Sequence, residues 1–128
     1  PPRSTLDRSS AASDVYKRQG RYHREVYVGA PEGSVLIEGF IDLVFETEEG
    51  LIVVDYKTDG IETAEEIARS MERYRLQGGT YALGLETATG KSVAKVIFLF
   101  LHTGVEFVMD DLFGSMNDVR SAVVSLTD

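Results

Sequence analysis

The alternation of apolar and polar positions divides the chain after residue 20 into five strands and two helices. Apolar residues at every second position, or in short buried-type runs, predict strands over residues 21–28, 34–47, 51–57, 93–101 and 105–109. Turn residues separate the early strands at 30–33 and 48–50. The third strand has an almost wholly apolar first half, which predicts a central position covered on both faces.

The two helices are predicted from apolar residues that recur at the spacing of one helical face. A capping box over Thr63–Glu66 predicts that the first helix begins after Thr63, and its apolar stripe continues to about Glu86. Gly78-Gly79 within this helix indicates either a break near Arg73 or the close approach of another backbone. The second helix covers 111–126. The order β-β-β-α-β-β-α predicts an α/β or α+β fold around one mixed sheet.

Residues 1–20 contain few large apolar side chains and follow no sustained period. They cannot bury enough surface to offset the entropy of ordering, so we expect a flexible or non-native leader before a single domain at 21–128. Ser13–Gln19 resembles a translated sequencing-adapter string, which predicts that the natural protein begins earlier. An ordinary flexible or helical leader is the alternative.

Composition narrows the class of protein. The chain has 128 residues, with 21 acidic and 13 basic side chains and a net charge of -8, the wrong sign for a nonspecific nucleic-acid coat. The absence of Cys excludes disulfides, thiolate zinc sites and iron–sulfur clusters. No apolar run approaches the roughly 20 residues that span a bilayer, so we expect a cytoplasmic protein without a membrane partner.

Three charged residues fall on predicted strands. Asp42 is surrounded by apolar residues, so its carboxylate needs a partner. Asp55 and Lys57 are two positions apart on the next strand and therefore share a face. If the hairpin turns at Glu48-Glu49, Asp42 and Asp55 are nearly opposite. Two such carboxylates repel each other unless a cation or a shared proton lies between them.

Oxygen ligands in a chain without Cys favour Mg²⁺ or Mn²⁺, with Asp42 and Asp55 as the metal ligands. Lys57 beside such an ion would position or deprotonate a water, or stabilise charge on a phosphorus centre, which predicts a hydrolytic phosphodiester site. The alternative is a buried ion network of structural value only. Three charged side chains on one face of the sheet, at the ends of apolar strands, favour a hydrolytic site over a structural ion network.

Three motifs follow one another along the chain, namely Gly39-Phe-Ile-Asp42, then Val54-Asp-Tyr-Lys-Thr-Asp59, then Tyr74-Arg-Leu-Gln77 with Tyr81. Their order resembles the RecB-like branch of the PD-(D/E)XK nuclease superfamily. The nearest form is the C-terminal nuclease domain of UvrD-like, AddA-type helicase–nucleases (exonuclease V). The resemblance covers roughly 21–111 and implies a restriction-endonuclease-like fold.

The resemblance also implies an activity, partners and roles for residues. The activity is that of a Mg²⁺-dependent, exonuclease-like deoxyribonuclease in recombinational double-strand-break repair. Its partners would be DNA and a helicase, present as a subunit or as a domain of the same chain. Asp42 and Asp55 would be metal ligands and Lys57 the catalytic lysine. Gln77 and Tyr81, four positions apart on one helix face, would orient the lysine or contact DNA.

A basic strip on the first helix offers further contacts. Arg73 and Tyr74, with Arg69 and Arg75 nearby, would meet phosphates next to Gln77. The alternative is a solvated helix face, because glutamates interleave with these arginines.

Two departures from the resemblance limit what it implies. The upstream helix of this branch usually supplies a metal-binding His, and nothing in residues 1–20 fits it, whereas His23 is better interpreted as an exposed or core histidine. The alternative function is therefore a catalytically weak or inactive module of the same fold that binds DNA or a protein partner. An N-terminally truncated fragment with an exposed apolar sheet face would also pair with another copy as a homo-oligomer.

Overall fold

The computed structural model describes residues 21–58 and 63–127, so the predicted leader at 1–20 lies outside the described residues. Two helices and a five-stranded sheet make up this part of the chain. Their bounds are β1 Tyr22–Glu32, β2 Val35–Thr47, β3 Gly50–Lys57, α1 Ala64–Thr89, β4 Val93–Phe100, β5 Val105–Val108 and α2 Leu112–Thr127. The strands lie side by side in chain order. The predicted element order is confirmed.

The sheet is mixed because a helix separates two of its neighbouring strands. β3 and β4 pair in parallel, and the chain between them crosses over through α1, whereas the other neighbours pair antiparallel. Side chains on both faces of β3 are buried, as expected for the central strand. In the described ranges, neither helix is long and apolar enough to span a membrane.

The set of β2 side chains that face the helices changes from odd-numbered to even-numbered positions at Asp42. Before this position Ile37 and Ile41 pack in the core that contains the helices. After it, Val44 packs in that core, while Leu43 belongs to the apolar cluster on the other face of the sheet. β1 keeps its register with β2 but has a positive φ of 51° at Glu25, the position opposite Asp42. Strict alternation is therefore interrupted in both strands beside Asp42.

The predicted turn at 30–33 was wrong. Ala30–Glu32 continue β1 and pair with Val35–Ile37, and the turn is confined to Gly33-Ser34, where Gly33 has a φ of 63°. Pro31 is compatible with a strand here because β1 lies at the edge of the sheet, where a missing N–H breaks no ladder on the outer side.

Close backbone approach, not a helix break, explains the glycine pair of α1. The helix continues without interruption past Arg73. A Cβ at Gly79 would clash with Ser115 Oγ and lie 3.0 Å from the Ser115 backbone on α2. Ser115 is fully buried, and its hydroxyl donates to the Arg75 carbonyl at 2.5 Å. The small residue at position 79 therefore lets α2 dock on α1.

We expect Gly79→Leu to lower the free energy of unfolding by about 2 kcal/mol, because the added side chain meets backbone atoms that cannot move aside cheaply. Urea unfolding measures this change. Ala88→Leu is the matched control, since Ala88 is exposed on the same helix, and its effect should stay within about 0.5 kcal/mol. Equal effects of the two variants would contradict the close approach of the helices.

Candidate active site

The charged residues of β2 and β3 meet on the sheet face that carries the helices. Val53 packs in the core below α1, so Asp55 and Lys57, two and four positions later, point to the same side. The pairing of Leu43 with Val54 brings Asp42 to the position beside Asp55. Lys57 Nζ lies 2.8 Å from Asp55 Oδ2. The structure therefore brings together the three residues that the sequence singled out.

Asp42 is held by a backbone donor that the sequence did not reveal. The Tyr56 N–H donates to Asp42 Oδ2 at 2.7 Å. This contact fixes one oxygen of Asp42 against the neighbouring strand, between the two positions occupied by Asp55 and Lys57. Because any residue at position 56 other than proline offers the same N–H, no side-chain pattern in the sequence signals the contact.

Asp55 is the electrostatic centre of the site. Its side chain is 7% exposed, and burial, followed by the hydrogen bond with Asp42, raises its pKa to about 6, against the opposing influence of Lys57. Asp55 Oδ2 is a buried oxygen that makes no hydrogen bond, so its contact with Lys57 is an ion pair of unfavourable hydrogen-bond geometry. The site thus has more negative charge than one lysine neutralises well.

Helix α1 supplies a chain of polar contacts to Lys57. The ammonium donates to Gln77 Oε1 at 2.6 Å, and Gln77 Nε2 donates to the Tyr81 hydroxyl at 2.9 Å. Burial raises the pKa of Tyr81, and the charges of Asp55 and Asp42 raise it further. Both helix residues named by the sequence motif therefore lie at the site, and Gln77 makes the direct contact with the lysine.

Tyr74 lies beneath the lysine, not on the surface. The residue is 6% exposed, and Lys57 Nζ lies 4.3 Å from the centre of its ring. Arg73 is exposed and donates through Nη2 to the Tyr74 hydroxyl at 3.0 Å. Of the predicted phosphate-contacting pair, Arg73 is accessible and Tyr74 is part of the support of the site.

Two other basic residues are engaged elsewhere. Arg75 pairs with Asp118 at 2.6 Å and with Asp111 at 3.5 Å, so part of the predicted basic strip is neutralised by the region around α2. His23 is exposed and lies 2.9 Å from Glu46 Oε2. It therefore belongs to a surface ion cluster, in agreement with its interpretation as an exposed histidine.

Gly39 has a packing role that sequence reasoning missed. A Cβ at this position would lie 3.2 Å from Cε1 of Tyr81, which is tighter than ordinary van der Waals contact. The glycine of the Gly39-Phe-Ile-Asp42 motif thus makes room for the tyrosine that holds Gln77. The position of this glycine three residues before Asp42 was the sequence feature that could have indicated its importance. Only the packing of Tyr81 against it explains why a glycine is needed there.

The donor set fits a small divalent cation. Two carboxylates meet here, and one has a buried oxygen without a hydrogen bond and a raised pKa, which is the electrostatic need that such an ion satisfies. Mg²⁺ usually retains several waters and takes only one or two carboxylates from a protein. Among residues 21–58 and 63–127, no group of three or more His, Asp or Glu is placed to hold a metal.

The family model of the PD-(D/E)XK nuclease superfamily matches residues 4–122. The chain belongs to this superfamily. The family expected from the motifs is therefore confirmed, and the observed mixed sheet and element order agree with it.

The relatives that this chain resembles in sequence are much longer than the chain itself. One, from Thermoanaerobacter pseudethanolicus, is named as a subunit of an ATP-dependent helicase/nuclease. It is 34% identical over 113 residues, covering 80% of this chain and 9% of the relative. The protein of the same name from Clostridium botulinum is 38% identical over 90 residues, covering 70% and 6%. The chain thus spans less than a tenth of the length of these relatives.

A solved structure shows the same fold at lower identity. The crystal structure of SSO0001 superposes with a TM-score of 0.53 and 16% identity, covering 94% of this chain and 57% of that chain.

The raised pKa of Asp55 predicts that the metal-free protein loses stability as pH rises. Its carboxyl has a pKa of about 6 when folded, against an ordinary value of 3.8. Between these values the folded state binds more protons than the unfolded state, so the free energy of unfolding falls by up to about 2 kcal/mol from pH 4 to pH 6 and then levels off. Urea unfolding in chelator-treated buffers measures this slope.

Two variants distinguish the pH dependence caused by Asp55 from that caused by other carboxylates. Asp55→Asn should abolish the fall. Glu46→Gln should retain the fall in the free energy of unfolding. Lys91 and His23 lower the pKa of Glu46 to about 2, so the stability that Glu46 contributes is lost only as pH falls below the ordinary value of 4.5. A slope that persists in Asp55→Asn would contradict the assignment of the raised pKa to Asp55.

Proposed function

We propose that this chain is a divalent-metal-dependent deoxyribonuclease module that hydrolyses DNA phosphodiester bonds. The observation that carries the proposal is the meeting of Asp42, Asp55 and Lys57 on two neighbouring strands, in a chain of a nuclease superfamily. Two acceptor carboxylates beside one ammonium are suited to a reaction in which negative charge builds on a phosphate.

Asp42 and Asp55 would hold the Mg²⁺ or Mn²⁺ ion. The ion would act as a Lewis acid toward the phosphate and would offset the repulsion between the two carboxylates. The buried Asp55 oxygen without a hydrogen bond and the raised pKa of its carboxyl support this role. The Tyr56 N–H would keep Asp42 oriented, because it binds one carboxylate oxygen at 2.7 Å.

Lys57 would stabilise the charge that develops on the scissile phosphate or position the attacking water. Its side chain is 13% exposed, so it retains access to the surface from a largely dry position. Gln77 accepts from the ammonium as a neutral group and therefore restrains it without adding negative charge. Tyr81 would act indirectly, by holding the amide of Gln77.

The grip on DNA would come largely from elsewhere in a longer protein. The net charge of -8 disfavours strong binding of DNA by this chain alone. The relatives are named as subunits of an ATP-dependent helicase/nuclease, and this chain spans less than a tenth of them. The module would therefore work with a helicase domain or subunit that delivers DNA, in exonuclease-like processing during recombinational double-strand-break repair.

One observation favours the alternative of a weak or inactive module that binds DNA or a protein partner. Within the part of the chain that the structure describes, the candidate site offers two acidic ligands and no third His, Asp or Glu placed with them. Fewer protein ligands mean weaker metal affinity, so the alternative predicts metal binding or DNA binding without cleavage.

The purified 128-residue chain should degrade linear DNA in the presence of Mg²⁺ or Mn²⁺ and not in excess chelator. Asp55→Ala and Lys57→Ala should each reduce the rate by about 100-fold or more, because each removes a group that acts on the reacting phosphate. Time courses with end-labelled duplexes measure the rate and show whether cleavage begins at an end.

Glu46→Gln is the matched control, since it removes a carboxylate of the remote surface cluster and should leave the rate within about threefold of the parent protein. Binding of Mn²⁺ without cleavage by the parent protein would favour the inactive module. Cleavage that is unaffected by Asp55→Ala would contradict the proposed site.

A further inference from the structure

The surroundings of the Lys57 ammonium include one contact that no charge pairing explains. An ammonium has three N–H donors. Two polar groups approach it, Gln77 Oε1 at 2.6 Å and Asp55 Oδ2 at 2.8 Å. A third side is covered by the ring of Tyr74, whose centre lies 4.3 Å from Nζ, within the distance of a cation–π contact.

The ring is held firmly in that position. Tyr74 lies 5.4 Å from Phe98 and 6.2 Å from Phe100, measured between ring centres, so it belongs to an aromatic cluster of the core. Arg73 donates to its hydroxyl from the surface side. Phe98 also lies near the lysine, but its ring centre is 5.6 Å from Nζ, farther than that of Tyr74.

We infer that Tyr74 is a positioning residue whose ring face holds the Lys57 ammonium beside the two carboxylates. The inference rests on the proposed function, because Lys57 acts on a phosphate only if the module is a nuclease. The contact is strong for its kind since both partners are largely shielded from water.

A neutral ring is better suited to this task than another acid. A third carboxylate would hold the lysine equally well but would neutralise its charge and repel the phosphate of the substrate. The ring quadrupole attracts the cation without adding net charge. Lys57 is thus fixed on one side by neutral groups from α1, Tyr74 and Gln77, and retains positive charge for the substrate.

This arrangement has a simple basis in the sequence. Tyr74, Gln77 and Tyr81 follow at the spacing of one helical face, so a single stripe of α1 presents a ring, an amide and a hydroxyl to the strand ends. Tyr81 reaches the lysine through Gln77, whereas Tyr74 reaches it directly.

The test compares Tyr74→Phe, which keeps the ring, with Tyr74→Leu, which removes it. Phe107→Leu is the matched control, because Phe107 packs edge-on against Phe100 at the far end of the same aromatic cluster. The first measurement is the NMR chemical shift of the Lys57 methylene next to Nζ. The ring should shift these protons upfield in the parent protein and in Tyr74→Phe, and most of the shift should be lost in Tyr74→Leu.

The second measurement is steady-state cleavage of linear DNA. Tyr74→Leu should lower kcat by about tenfold or more with little change in KM, because misplacing the lysine weakens the transition state more than ground-state binding. Tyr74→Phe and Phe107→Leu should stay within about threefold. Fluorinated phenylalanines at position 74 keep the shape of the ring and weaken its quadrupole, so kcat should fall with each added fluorine. This series tests the contact even if Tyr74→Leu does not fold.

The two measurements separate this inference from the proposed function. A parent protein without cleavage overturns the proposed function, and the NMR shift then decides alone whether the ring holds the lysine. Lys57 shifts that are unchanged in Tyr74→Leu overturn the inference. Equal losses of kcat in Tyr74→Leu and Phe107→Leu, or no dependence on fluorination, overturn it as well.

Discussion

The site depends on the burial of Asp55 beside a second carboxylate. A carboxylate at the dry end of a central strand is unstable as an anion unless positive charge lies next to it. Lys57 provides part of that charge at 2.8 Å, yet the pKa of Asp55 is still raised to about 6. Positive charge beside Asp55 therefore remains insufficient, and in the proposed function a bound cation would supply the rest. The Tyr56 N–H holds Asp42 and the Gln77 amide holds Lys57, so the charged groups stay in place although their charges are not balanced.

Much of the fold serves that arrangement. The change of inward face in β2 occurs at Asp42, opposite a positive φ at Glu25, and strained or irregular backbone of this kind is often found at functional sites. Gly39 leaves room for Tyr81, and Gly79 lets α2 pack on the helix that carries the supporting side chains. Glycines in the sheet and in the helix therefore contribute to the same site by allowing close approach.

The sequence predicted the order of elements, the hairpin that places Asp42 near Asp55, and the shared face of Asp55 and Lys57. These features follow from local periodicity and turn position, which are properties of neighbouring residues. It did not predict the continuation of β1 through Pro31, because an edge position is a property of the whole sheet. It likewise missed the Tyr56 N–H and the burial of Tyr74 under Lys57, which depend on how the strands pair and how α1 lies across them.

We propose that a divalent cation takes the place of the proton that Asp55 retains. Calorimetric titration of Mn²⁺ in buffers of different ionisation enthalpy measures this exchange. At about pH 5 each bound ion should release roughly one proton, and above pH 7.5 almost none, because the carboxyl has then already ionised. Asp55→Asn should abolish both the binding and the proton release. Mn²⁺ binding that is independent of pH, or that survives this substitution, would show that the cation does not replace a proton on Asp55.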